Sequence, residues 1–353
     1  MTSWSKRIRA SLQRILSFAK SCYQFDPARC RNTSRLLGMA LITAPVLSFG
    51  QAKMEIPGSF SVTPHGAASY SIPIEVPPGT AGVQPNLNLN YNSQTRNGLV
   101  GVGWSLGGLS VIYRCGANYT TDAAFAARGI SYNSNDKFCL DGQRLVVVGG
   151  AYGAAGSEYR TEKESFTRII AFGAAGSGPQ YFVAYTKAGD VMTYGGTADS
   201  RILPIINGVV AATPRTWAVS QINDRFSNWM SFAYSQDTIN GGYYPVDIYY
   251  TGNSSTGINW NSRVHFNYES RTDTANQYVG EAKINIAQRL SGIDTFTNTS
   301  QLVKRYFLTY FAGFRQCAFT AHNHQRMCAR WHHLPTANQC RIHRGRWGRH
   351  HDG

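Results

Sequence analysis

Apolar and polar side chains alternate along the chain from residue 59 onward, in short runs broken by Gly, Pro, Asn and Asp. The clearest run is NLNLNYNS (86–93), where Leu87, Leu89 and Tyr91 share one face and the asparagines the other. Successive side chains of a strand point to opposite faces, so a period of two predicts a half-buried strand. SFSVTPHGAASYSIPIEV (59–76), LSVIYR (109–114), QRLVVVGG (143–150) and YFVAYTKAGDVMTYGG (181–196) read the same way. So do WMSFAYS (229–235), YPVDIYY (244–250), RVHFNYES (263–270) and RYFLTYF (305–311). After residue 52 the helical period of 3.6 shows only weakly, around 122–128. The pattern predicts an all-β chain of many short antiparallel strands: a sandwich, a barrel or a strand-built shell. YTKAGDVMTYGG (185–196) and INDRFSNWMSFAY (222–234) read as two weak copies of one hairpin unit.

Composition agrees, because only 15% of the 353 residues are charged while Gly (35) and Tyr (20) are abundant. The net charge of +15 sits at the two ends. Residues 1–50 hold eight Lys/Arg against Asp26, and residues 315–353 hold seven Arg against Asp352. The body between them, with 19 basic and 17 acidic residues, is nearly neutral. A nucleic-acid reader concentrates positive charge on its folded body, so no nucleic-acid partner is expected. Residues 1–52 read as a secretory signal with a long basic front. LLGMALITAPVLSF (36–49) is its apolar core, with Ser48 and Gly50, or Gly50 and Ala52, as cleavage-site residues. That run is shorter than the ~20 residues of a spanning helix. The mature chain, residues 53–314 with a tail at 315–353, is therefore expected to be exported and to lack a membrane span.

Candidate chemistry is sparse. Gly103-Trp104-Ser105-Leu106-Gly107 fits G-x-S-x-G, the nucleophile elbow of serine hydrolases, and makes Ser105 a weak candidate nucleophile. An elbow needs a helix directly after the serine, and GGLSVIYRCG is β-patterned instead. Between Ser105 and residue 314 the one histidine is His265, inside a strand pattern. The structural reading is preferred: Gly101, Gly103, Gly107 and Gly108 shape tight turns while Trp104 and Leu106 pack inward. Glu162 and Glu164 have the spacing of the acid pair of ADP-ribosyltransferases, and are read as solvated charges on a strand edge. Cys115 and Cys139, the two cysteines of the body, are expected to form a disulfide after export. The tail holds seven of the nine histidines together with Cys317, Cys328 and Cys340, but no C-x₂₋₄-C pair. Zinc binding, nucleic-acid binding and out-of-frame translation compete there, and the last is preferred. No cofactor or metal is expected.

SIPIEVPPGTAGVQPNLNLNYNS, GVGWSLGG, FCLDGQRL, YRTEKESFTRI, YGGTADSRI and INDRFSNWMSFAY occur in that order. Over residues 57–310 the chain resembles the amino-terminal domain of the Salmonella virulence plasmid 65 kDa B protein family. That domain also opens the B component of insecticidal toxin complexes. Ser227 departs from the family pattern, which has Gly before Asn. The resemblance implies a β-rich, secreted, virulence-associated domain, part of a strand-built shell related to RHS/YD-repeat assemblies, without enzymatic activity. The partners it implies are other toxin-complex components or a missing carboxy-terminal region. Nothing here matches the downstream ADP-ribosyltransferase domain of the Salmonella protein. A serine hydrolase using Ser105 and a carbohydrate-binding surface adhesin are the alternatives.

Overall fold

Antiparallel strands follow one another along much of the chain because many of its alternating runs are joined by turns too short for a crossover. The structure is a computed structural model, described here for residues 57–120, 122, 128–310, 317–323 and 325–326. All the described residues lie in one unit, Glu55–Gly353. Among them every element is a strand except the short 3₁₀ turn Thr80–Gly82. The weak helical pattern at 122–128 falls largely outside the described residues.

Seven strands run up and down in sequence: Val111–Cys115, Lys137–Leu140, Gln143–Gly149, Glu158–Thr161, Arg168–Phe172, Tyr181–Tyr185 and Val191–Tyr194. Thr216–Asn223 closes them into a ring. Its first half, Thr216–Ala218, pairs with Val111–Tyr113, and its second half, Val219–Asn223, pairs with Val191–Tyr194. A register shift between Thr193 and Tyr194 lets one strand serve both ladders. The result is a closed eight-stranded barrel, a size at which side chains fill the interior. Phe138, Leu145, Tyr159, Ile169, Phe182 and Trp217 are all buried in one core. Their rings pack edge to face, as aromatic quadrupoles prefer: Phe138 with Phe182 at 5.3 Å and with Trp217 at 5.4 Å.

From the closing strand the sheet continues outward through Asn228–Gln236, Tyr243–Asn253, Ser262–Ser270, Gln288–Thr297 and Gln301–Tyr310. A four-stranded sheet of Ser59–Val62, Ala68–Ile74, Leu87–Asn92 and Trp104–Gly107 packs into the same core. Leu87 and Leu89 are buried and Asn88 and Asn90 half-buried, as the period of two predicts. Long-range bonds tie this sheet to the long one: Tyr306 Oη accepts from Glu75 N at 2.8 Å, and Tyr250 Oη donates to Pro77 O at 2.9 Å. A small sheet of Ile205–Ile206, Val209–Val210, Gln277–Val279 and Ala282–Ile284 completes the body.

The strand pattern of the sequence ends near Phe314, but the ladder does not. Cys317–Asn323 pairs with Gln301–Tyr310, and Gln325–Arg326 turns back on it. An open sheet edge presents unpaired N–H and C=O groups that accept almost any extended segment, so pairing there needs little sequence pattern.

Cys115 and Cys139 form a disulfide across neighbouring strands, with Cα atoms 6.0 Å apart and a separation of 24 positions in sequence. The bridge pins the start of the long 115–137 connection to the barrel wall. Cys115→Ala/Cys139→Ala is expected to lower the unfolding free energy by about 3 kcal/mol, the chain-entropy value for a loop of this size. Urea unfolding of the two proteins measures it; superimposable curves would show the bridge to be energetically idle.

Candidate functional site

Trp104–Gly107 runs antiparallel to Leu87–Asn92, with Ser105 opposite Asn90. Trp104 and Leu106 lean against the core, and Trp104 meets the Tyr91 ring at 5.4 Å. Ser105, on the other face, is exposed, and its Oγ donates to the Asn90 carbonyl at 3.4 Å. No helix follows, since the next strand is Val111–Cys115. The glycines answer to crowding. At Gly103, with φ +81°, a Cβ would lie 2.6 Å from the Tyr91 ring. At Gly108, with φ +94°, it would lie 2.1 Å from the Asn86 carbonyl oxygen. Gly101 and Gly103 are buried, while Gly107 lies opposite Asn88 across the ladder.

His265 lies on Ser262–Ser270 in the long sheet and is engaged elsewhere. Its Nδ1 is 2.8 Å from Asp247 Oδ1. Asp247 and Asp294 stand opposite His265 on the two flanking strands, and Asp294 accepts two bonds from Arg305, at 2.6 and 2.7 Å. This is a row of cross-strand polar pairs, of the kind that contributes roughly 0.2–1 kcal/mol each to a sheet. No nucleophile belongs to it.

Glu162 and Glu164 do not share a strand face. The strand Glu158–Thr161 ends before them, and both are exposed in the turn to Arg168–Phe172. Glu164 Oε1 accepts from Phe166 N at 2.5 Å and so caps a turn in which Phe166 takes φ +58°. Local capping claims this carboxylate because the chain must reverse there.

Of the tail cysteines, Cys317 begins the outermost long strand, while Cys328 and Cys340 lie outside the described residues. Among the described residues, no three His, Cys, Asp or Glu side chains gather as metal ligands would, and no helix is long and apolar enough to cross a membrane.

Two features have no counterpart in the sequence reading. The first is Arg114, 2% exposed inside the loop end of the barrel. It donates to the carbonyls of Asn133, Ser177 and Pro214 at 2.8–3.0 Å and to Asp136 Oδ2 at 3.0 Å. Burial pulls its pKa down, and Asp136 pushes it back up. The second is the edge strand Ser59–Val62. Among the described residues it pairs only with Ala68–Ile74, and all four of its residues are exposed, with Phe60 at 68% and Val62 at 63%. Its alternation was legible, but not its place at an edge, which depends on which strands pair. Among the described residues the site offers backbone pairing and apolar contact, and Ser105, His265 and Glu164 are not brought together.

Comparison with known proteins places this architecture. The model of the family described as Salmonella virulence plasmid 65kDa B protein matches residues 62–283. The structure of the N-terminal domain of effector protein SpvB from Salmonella typhimurium strain LT2 superposes with a TM-score of 0.56 at 19% identity. That match covers 71% of this chain and 97% of that one. The Photorhabdus luminescens Tc holotoxin pore (TccC3-D651A) superposes at 0.59 with 17% identity, and TcdB2-TccC3-TEV at 0.60 with 17%. Each of these two matches covers 77% of this chain and 16% of the toxin chain, so the present chain spans a small part of those relatives' length. No curated protein sequence matches significantly.

Proposed function

Because the chain belongs to the Salmonella virulence plasmid 65 kDa B protein family, we propose that it is an exported, non-catalytic β scaffold that assembles with other components of a toxin complex. Residues 53–314 form the working body. The observation that carries this reading is the edge strand Ser59–Val62. Soluble proteins blunt such edges with charges, prolines or a covering segment. Here Phe60 and Val62 stay exposed on a strand with one partner among the described residues, which suits the addition of a strand from a second component. The toxin relatives, in which a fold of this kind is a small part of a much larger chain, support assembly as its role.

The full chain mixed with a TccC3-like component is expected to form a complex by light scattering after size exclusion. Phe60→Lys/Val62→Lys is expected to abolish it, since charge on an edge opposes strand addition. A complex that survives this change would sink the edge reading. Ser105→Ala is expected to leave ester hydrolysis at background and stability within about 0.5 kcal/mol, as for a surface position; a measurable activity lost on substitution would restore the hydrolase reading. Export implies an amino terminus at Gln51 or Lys53, which sequencing of the secreted chain would read. Retention of residues 1–50 in the secreted chain would refute cleavage there.

A further inference from the structure

Arg215 stands immediately before the closing strand of the barrel. Its backbone is held on both sides: its N–H donates to Ile202 O at 2.8 Å, and its carbonyl accepts from Arg114 N at 3.0 Å. The residue is 5% exposed. Nη2 donates to the Gly241 carbonyl at 3.1 Å, whereas Nη1 is buried with no acceptor among the described residues. Arg114 next to it has Asp136; Arg215 has no carboxylate partner among the described residues. Burial lowers its pKa, and the groups that oppose this are two phenols, Tyr132 and Tyr243. A guanidinium does not escape burial by losing its proton. A buried charge is costly unless it is paired, and a water molecule would supply an acceptor but no counter-charge.

The same guanidinium lines a cavity of ≈ 280 Å³. Its walls are Val111, Val279, Ile284 and Ile286, with Tyr113 and Tyr243 beside them. The small sheet supplies Val279 and Ile284, and the barrel supplies Val111 and Tyr113. Arg114 lines the chamber too, but Asp136 answers its charge, so the cation left without a counter-charge is Arg215, and it calls for one anionic group on an apolar body. We propose that Arg215 anchors a binding site for an organic monocarboxylate whose short alkyl or aryl part fills this cavity. A carboxylate matches the planar fork of the guanidinium, whose Nη1 has no acceptor among the described residues. Sulfate or phosphate would leave further charged oxygens facing aliphatic walls, so neither fits. The carboxylate belongs either to a free small acid or to the carboxy terminus of a peptide; the chemistry is the same.

Calorimetry on the full chain tests the site with hexanoate, benzoate, hexanol, hexylamine and inorganic sulfate. Hexanoate and benzoate are expected to bind, and the alcohol, the amine and sulfate are not. Arg215→Gln is expected to weaken carboxylate binding about tenfold or more. Val279→Trp, which fills the chamber and leaves the guanidinium in place, is expected to abolish it. Should either variant fail to fold, selectivity among the five probes decides on the unaltered protein. The proposal is overturned if neither carboxylate binds at millimolar concentration, if hexanol or hexylamine binds as well as hexanoate, if sulfate alone binds, or if both variants bind hexanoate unchanged. A short peptide ending in isoleucine, compared with its carboxy-terminal amide, separates the two sources. Binding of the acid form alone points to a chain terminus, and binding of free acids without the peptide points to a small metabolite.

Discussion

Trp217→Ala is expected to cost about 3–5 kcal/mol, the range for truncating a large aromatic in a close-packed core. Trp217 is wholly buried, on the one strand that converts an open sheet into a barrel. Its ring meets Phe138 at 5.4 Å and Phe182 at 5.1 Å, both edge to face. Its Nε1–H lies within reach of the Pro179 and Gln180 carbonyls, at 3.2 and 3.1 Å, which ties the 173–180 connection to the closing strand. Its backbone pairs with Ile112 on one side and Arg201 on the other. Alanine would leave a void that the rigid ring of strands cannot close. Urea unfolding followed by near-ultraviolet circular dichroism measures the loss. Trp217→Phe, which keeps most of the ring and loses the N–H, should fall between alanine and the original residue. A loss below about 1 kcal/mol, no more than a typical surface change, would mean that the barrel does not close around this ring.

Asp136→Ala is expected to be of similar size, about 3–5 kcal/mol, because it strips the partner from a buried charge. Both side chains of the Arg114–Asp136 pair are almost completely buried. Asp136 also accepts Ser131 N through Oδ1 at 2.8 Å, so its loss frees a backbone donor as well. The three carbonyls that Arg114 binds belong to separate connections at the same end of the barrel, and they supply acceptors without a counter-charge. Arg114→Met/Asp136→Ala separates the two components of the cost. Removing both charges is expected to restore part of the stability, since a buried pair exchanged for apolar groups is often near neutral. If the double variant were less stable than Asp136→Ala alone, the guanidinium would be acting through its carbonyl bonds, not through its charge.

The candidate site was unevenly legible. GVGWSLGG announced crowded glycines, and Gly103 and Gly108 have positive φ against a ring and a carbonyl. The Ser105 motif is five residues long, whereas a hydrolase site would need partners brought from afar. Only the fold shows that His265 is taken by Asp247 on the next strand. Arg114 and Arg215 look alike in sequence, as arginines at the margins of strand patterns. Among the described residues one has a carboxylate partner and the other does not, because Asp136 reaches only the first. Nothing in the local pattern distinguishes them.

In the clearly alternating runs, strand character and the inward face were determined by the sequence alone. They depend on alternation over a few residues and on Gly, Pro, Asn and Asp at the reversals, and both are local. Leu87 and Leu89 buried between half-buried asparagines are the plainest instance. Only the tertiary structure decided which strands become neighbours. The two ladders of Thr216–Asn223 reach back to Val111–Tyr113 and Val191–Tyr194, and strands joined by tight turns could equally have continued as an open sheet. Ring closure, the exposed edge at Ser59–Val62 and the lack of a carboxylate beside Arg215 among the described residues all follow from that choice. Each depends on contacts between residues far apart in the chain, where a pattern of period two is silent.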